Sequence, residues 1–202
     1  MSRVVLLDRD GTVVIDRGYL ADPSGLEFEP GAAEGLRLLH ASGHRLLIVT
    51  NQSGVGRGYF PLERLLAMNA RLHAMAQAAG APLEAIYYCP HAPEEACDCR
   101  KPAQGLMRLA SAELHFDPRT AVVIGDRDSD VEFGRRAGAT TILLDAGVPV
   151  PTEAPGRGPA AGAGSPPSGG QPTAESRADR VEPNLLAAAR WLTRAQRSPS
   201  TR

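Results

Sequence analysis

Residues 4–14 read Val-Val-Leu-Leu-Asp-Arg-Asp-Gly-Thr-Val-Val, an apolar run that stops abruptly at two carboxylates, a glycine and a threonine. An unbroken succession of valine and leucine describes a strand buried on both faces. Such strands belong to parallel sheets covered by helices, and ligands bind there beyond the carboxyl ends of the strands. Asp8 and Asp10 stand at such an end. Side chains alternate along extended chain, so the spacing turns both carboxylates the same way and sends Arg9 elsewhere. Two like charges sharing a small space need a cation, a shared proton or open solvent. An isolated Asp-x-Asp-Gly reads equally well as a solvated turn, so the remainder of the chain has to decide.

The pattern recurs. His44 to Thr50 is a second apolar run, ending in Thr50-Asn51-Gln52-Ser53-Gly54; Leu83 to Tyr88 is a third, leading into a cysteine cluster. Thr120 to Gly125 is a fourth, ending at Asp126, and Thr141 to Leu144 a fifth. Between them lie helical patterns. Ala33, Leu36, Leu38 and Leu39 fall at helical spacing between Pro30 and Gly43. Leu62, Leu65, Leu66, Leu72, Met75 and Ala79 mark a longer amphipathic helix that stops at Gly80. Leu106, Leu109, Ala110 and Leu114 mark another, and 131–137 a short one before Gly138. Strands alternating with helices imply a right-handed, doubly wound α/β fold on a parallel sheet. Polar groups gather at four strand ends, so the site is assembled from distant parts of the sequence.

From 148 to 178 the chain turns to Pro, Gly, Ala and Ser, a composition expected of a flexible linker. After it, Val181 opens a short strand, and Leu185, Leu186, Ala189, Trp191 and Leu192 form a last apolar stripe expected to dock on the sheet. The expected division is a core of 1–147, a linker of 148–178, a C-terminal strand and helix within 179–195, and a disordered tail of 196–202.

A chain of 202 residues can bury one good core, and a net charge of −1 offers no basic field for nucleic acid. With no apolar run of about 18 residues and no charged-then-apolar leader, the expectation is a soluble, cytoplasmic monomer without membrane contact. The three cysteines, Cys89, Cys97 and Cys99, crowd together around His91. An odd, local set argues for a metal site rather than a disulfide framework. Three thiolates and an imidazole suit closed tetrahedral Zn2+, a structural ion bracing the loop 89–99 that leads into Arg100 and Lys101. Of 22 basic residues only Lys101 is a lysine, leaving 22 − 1 = 21 arginines. A compact ammonium kept at one place in so arginine-rich a chain points to a task that a wide guanidinium cannot perform.

Taken together, Asp8-Arg9-Asp10-Gly11-Thr12, Gly18-Tyr19, Thr50-Asn51-Gln52-Ser53-Gly54, Cys89-Pro90-His91, Cys97-Asp98-Cys99-Arg100-Lys101-Pro102 and Gly125-Asp126 resemble the haloacid dehalogenase superfamily of phosphohydrolases. Within it they look like the branch that holds the heptose-bisphosphate and histidinol-phosphate phosphatases. The resemblance covers roughly Arg3 to Asp145, with no large inserted cap. It implies Mg2+ held by the Asp8 carboxylate, the Asp10 backbone carbonyl and Asp126, with Asp8 as nucleophile and Asp10 as acid and base. It also implies that Thr50 and Lys101 act on the phosphoryl group. Asp16, Arg17, Gly18, Tyr19, Thr50, Asn51, Gln52, Ser53, Arg100, Lys101 and Arg127 are the implied substrate contacts, Arg127 standing where a lysine is usual. Asp130 is expected as a solvated helix carboxylate, with loop orientation as the other reading. The substrate implied is a small sugar phosphate, the heptose ester ahead of histidinol phosphate. A zinc-braced protein that binds sugar phosphates without catalysis is the alternative of another class.

Overall fold

A computed structural model of the chain describes residues 2–147 and 178–197. The expected linker lies outside the described residues save for its last position, 178, as do the last five residues of the expected tail. Six strands form one sheet: β1 (Val4–Leu7), β2 (Arg45–Asn51), β3 (Ala85–Cys89), β4 (Val122–Gly125), β5 (Thr140–Leu144) and β6 (Arg180–Glu182). Every pair is parallel, in the order β3-β2-β1-β4-β5-β6. Among the described residues five α-helices connect or follow them: α1 (Ala32–Ala41), α2 (Leu62–Ala78), α3 (Gly105–Leu114), α4 (Asp128–Arg136) and α5 (Leu185–Arg197).

Alternation along β1 explains the layering. Val5 and Leu7 face a core shared with α1, α2 and α5, whereas Val4 and Leu6 face a second core shared with α3 and α4. All four are buried, and each such side chain contributes about 1.5–3 kcal/mol of transfer free energy. Strand order reverses between β1 and β4, and the carboxyl ends of these two central strands frame the crevice where doubly wound sheets hold ligands. The C-terminal piece completes this architecture. β6 extends the sheet beside β5, and Leu185, Ala188, Ala189 and Leu192 of α5 join the core that contains α1.

Some boundaries differ from those expected. β1 ends at Leu7, and the carbonyl of Arg9 accepts from the N–H groups of both Val13 and Val14, so residues 9–14 form a turn rather than more strand. β4 begins at Val122 because Pro118–Thr120 form a helical turn whose first amides are capped by Asp117. α4 begins at Asp128, earlier than its apolar residues alone suggest. α5 runs through Arg197, two residues into the expected tail. Among the described residues no helix is long and apolar enough to cross a membrane.

Candidate active site

A cavity of about 320 Å³ opens at the carboxyl edge of the sheet. β1 delivers Asp8 to it, the end of β2 delivers Thr50 to Ser53, and the segment after β3 delivers Arg100 and Lys101. Lys101 is only 5% exposed, so its charge demands partners. Its ammonium donates to Asp8 Oδ1 at 2.7 Å and to the Val49 carbonyl at 2.7 Å, and stands 2.6 Å from Asp130 Oδ1. Two hydrogen bonds and one close ion pair surround the ammonium with three oxygens, an arrangement its compact shape allows. Burial alone lowers the pKa of Lys101, but the Asp8 and Asp130 carboxylates outweigh it and push the pKa above the ordinary lysine range. Asn51 pins the backbone beneath: its amide accepts from Lys101 N at 2.9 Å and donates to the Lys101 carbonyl at 3.1 Å.

Asp130 is not the solvated carboxylate expected from the sequence. It is 2% exposed, paired with Lys101, and accepts the Arg127 N–H at 3.1 Å across the first turn of α4. The β1–β4 pairing carries that turn over Asp8. A Cβ placed on Gly125 would stand 2.4 Å from Asp130 Cγ, so the strand must end in glycine for the helix to fold back this closely. On the other side, Gly11 takes φ +76°, and a Cβ there would lie 2.5 Å from Asp126 Oδ2.

Asp8, Asp126 and Asp130 each place one carboxylate oxygen within 4.8 Å of the others. Burial first, then the charges of Asp8 and Asp130, push Asp126 up to about 6. Crowded hard oxygens, with Asp126 resisting ionisation, fit a divalent cation such as Mg2+, whose charge relieves the repulsion.

Asp10 sits at the same cavity, although not by strand alternation. The turn after Leu7 lets the Arg9 side chain double back, where it is 2% exposed and not directed away as expected. Arg9 Nε lies 3.1 Å from both Asp10 oxygens, and its Nη2 donates to Asp10 Oδ1 at 3.0 Å and Gln52 Oε1 at 2.8 Å. The Gln52 amide nitrogen donates to Asp10 Oδ2 at 2.8 Å and Thr50 Oγ1 at 2.9 Å. Burial pushes the Asp10 carboxyl above the ordinary carboxylate range, and Arg9 restrains the shift.

The rim carries Asp16, Gly18, Tyr19 and Arg127, with Asp16 bound to Arg127 at 2.7 Å. Tyr19 is half exposed and meets Tyr59 edge to face, ring centroids 4.4 Å apart. Of the expected substrate positions, Arg17 stays outside the cavity lining: it pairs with Glu27 at 2.8 Å on the surface. Phe60, Ser129 and Asp130 line the cavity without having been singled out for it, and only the spacing of Asp130 from Asp126 hinted at any of the three.

Next to the cavity, Cys89, His91, Cys97 and Cys99 gather their ligand atoms within 4.8 Å. The sulfurs stand 3.2–3.5 Å from one another, and His91 Nδ1 is 3.6 Å from Cys89 Sγ and 3.2 Å from Cys99 Sγ. A tetrahedron with Zn–S bonds of about 2.3 Å has edges of about 3.8 Å, so the set fits a zinc ion after small expansion. Burial pushes the Cys89 thiol up. Cys97 is brought down to about 7, its hydrogen bonds with Cys99 and Cys89 outweighing burial. The cluster adjoins the cavity through two backbone bonds, Gln52 N to Cys89 O at 2.7 Å and Gly56 N to Pro90 O at 2.8 Å.

A HAD-hydrolase-like family model matches residues 98–163. D-glycero-beta-D-manno-heptose-1,7-bisphosphate 7-phosphatase of Pasteurella multocida (strain Pm70) is 39% identical over 157 residues, covering 74% of this chain and 85% of that protein. The enzyme of the same name from Haemophilus influenzae (strain Rd) is 37% identical over 163 residues, covering 77% and 89%. A crystal structure of D,D-heptose 1,7-bisphosphate phosphatase from B. bronchiseptica, complexed with magnesium and phosphate, superposes with a TM-score of 0.76 at 26% identity. That superposition covers 96% of this chain and 99% of the other. The shared sheet, the matching length and this level of identity place the chain in the heptose-1,7-bisphosphate 7-phosphatase family of HAD-like hydrolases.

Proposed function

We propose that the protein removes the 7-phosphate of D-glycero-D-manno-heptose 1,7-bisphosphate by way of a phosphorylated Asp8, within the synthesis of nucleotide-activated heptose. The observation that carries this reading is the Lys101 ammonium seated between Asp8 and Asp130 at the floor of a cavity that also holds Asp10 and Thr50. Binding alone gives no reason to put a carboxylate nucleophile and a second, partly buried carboxyl at one cavity. The relatives described above bear the heptose name, and the histidinol-phosphate alternative is not favoured.

Asp8 and Asp126, with the Asp10 carbonyl, are the groups that would hold Mg2+, which when bound offsets phosphoryl charge against the carboxylates. Thr50 donates a hydrogen bond to a phosphoryl oxygen, and Lys101 sets its charge against the transferring group while keeping Asp8 in line. Each fixed donor of this kind supplies on the order of 3 kcal/mol in the transition state. The Asp8 carboxylate attacks phosphorus, the phosphorus–oxygen bond to the sugar breaks, and Asp10 gives its proton to the departing oxygen. Asp10 then takes a proton from the water that attacks the aspartyl-phosphate, restoring Asp8 and releasing phosphate. Asp16, Gly18, Tyr19, Asn51, Gln52, Ser53, Arg100 and Arg127 shape the opening toward the sugar, and Arg17 acts from the surface through the same loop.

The cysteine cluster enters this reading as the holder of structural Zn2+, keeping the segment that carries Arg100 and Lys101 in register with β2. The same reading divides the chain into a core of 1–147 and a C-terminal piece of 179–195, supported by the way β6 and α5 complete the sheet and one core.

Steady-state phosphate release with Mg2+, from heptose 1,7-bisphosphate and histidinol phosphate side by side, tests the substrate. A strong preference for the heptose ester is expected, and a preference for histidinol phosphate overturns that assignment. Asp8→Asn is expected to lose at least about 10⁴-fold in kcat, and near-normal turnover removes Asp8 from its role.

A further inference from the structure

We propose that Arg9 is a positioning residue which, through Gln52, sets the direction in which the Thr50 hydroxyl offers its proton and holds the Asp10 carboxyl at the cavity. The inference rests on the reading of Thr50 as the phosphoryl donor and of Asp10 as the acid.

Donor and acceptor polarity fixes the orientation of the bridge. A guanidinium can only donate. Arg9 Nη2, 2.8 Å from the Gln52 side chain, therefore requires the amide oxygen on its side. The amide nitrogen then faces away from Arg9, toward Asp10 Oδ2 and Thr50 Oγ1. Turning the amide over would set donor against donor at Arg9 and oxygen against carboxylate at Asp10, so both ends of the bridge demand the same orientation. With a donor arriving at its oxygen, the Thr50 hydroxyl has its single proton left to give elsewhere. Thr50 is 1% exposed and lines the cavity, so that proton is available to a phosphoryl oxygen placed there.

Asp10 is fixed by the same frame. Its two oxygens receive Arg9 Nε, Arg9 Nη2 and Gln52 Nε2, three donors from two buried side chains. Stability alone gives little reason to place a guanidinium here. Arg9 Nη1 is buried and has no hydrogen-bond partner among the described residues. An unsatisfied buried donor is a cost to the fold.

The test is a double-mutant cycle of Arg9→Met and Thr50→Val, read as kcat on p-nitrophenyl phosphate, a small ester that reports on the phosphoryl site whatever sugar the enzyme prefers. Thr50→Val is expected to lose about 10²-fold in kcat, the scale of one positioned donor. Arg9→Met is expected to lose about 10- to 100-fold in kcat with KM within about threefold. The double variant is expected to lose at least about tenfold less than the product of the two single losses, because the share of Arg9 that runs through Gln52 is already gone with the Thr50 hydroxyl while the share through Asp10 remains. Losses that simply multiply overturn the inference. Arg9→Lys guards against a folding defect in the methionine variant, since it keeps a cation but lacks the planar fork that reaches Asp10 and Gln52 together. Arg9→Lys should lose turnover as Arg9→Met does while melting like the wild type, and full turnover with lysine also overturns the inference. Failure of the wild type on heptose bisphosphate would instead strike the substrate reading and leave the cycle interpretable.

Discussion

Asp8, Asp126 and Asp130 crowd three carboxylates together, two of them on the Lys101 ammonium, while Cys89, His91, Cys97 and Cys99 draw three sulfurs and a ring nitrogen together beside the cavity. Both corners are suited to cations, but they are made differently. The carboxylates come from β1, from the end of β4 and from the first turn of α4, so their meeting depends on the whole sheet order. The sulfur cluster closes within a short stretch of chain, from Cys89 at the end of β3 to Cys99, and depends on the sheet only through that strand. An arrangement that keeps repelling charges in place is held by the fold, whereas a closed ligand shell holds the fold in return. Substitutions in the first corner should therefore act on turnover and those in the second on stability.

Lys101→Arg gives the sharpest break in that contrast. The charge is kept, but a planar fork cannot meet Asp8, Asp130 and the Val49 carbonyl as the ammonium does. A loss of about 10²–10³ in kcat is expected. Near-normal turnover would sink the argument from Lys101 as the chain's one lysine. Cys97→Ser acts on the other corner. It should bind less zinc by atomic absorption and melt about 5–10 °C lower, on the scale of 2–4 °C per kcal/mol for a chain of this size, with a smaller fall in kcat. An unchanged melting point at full zinc depletion would show that the loop holds itself.

The smallest expected effect concerns pH. Asp126, pushed to about 6, binds a proton in the folded protein at pH values where the unfolded chain, near the ordinary 3.9, does not. Without added magnesium its contribution is present in acid and lost as pH rises through about 6. Burial lowers the His44 pKa, and that contributes the opposite slope, being lost as pH falls below about 6.5. Subtracting the melting curve of Asp126→Asn from that of the wild type between pH 5 and 7.5 isolates the aspartate. The difference should favour the wild type more at low pH, and saturating magnesium should reverse the trend. A flat difference would place Asp126 outside the crowded set.

The cysteine cluster and the strands could be read from the chain because both are local statements, one of ligand spacing and the other of apolar runs. Lys101 could be read because it is the chain's one lysine. Asp130 could not, since a carboxylate in the first turn of a helix looks solvated until the neighbouring strand is known to be β1. Arg9 was hidden for a related reason. Alternation holds only while the strand lasts, and the strand stops at Leu7, one residue before the first carboxylate. Arg17 shows the converse: it lies among residues that line the cavity, yet its own side chain finds Glu27 first.

The position of β1 at the middle of the sheet has a consequence for the order in which the protein is made. Synthesis produces β1 first, and β2 can pair with it early, but its other edge stays bare until β4 emerges. A chain interrupted before Asp126 would carry the nucleophile of the proposed reaction beside an open strand edge, with neither Asp126 nor Asp130 to meet it. Such an edge is a template for association with other chains. The docking of β4 against β1 thus brings Asp126 and Asp130 to Asp8 and covers the edge of β1 in one step, while the open edge passes outward until β5 and β6 add to the sheet.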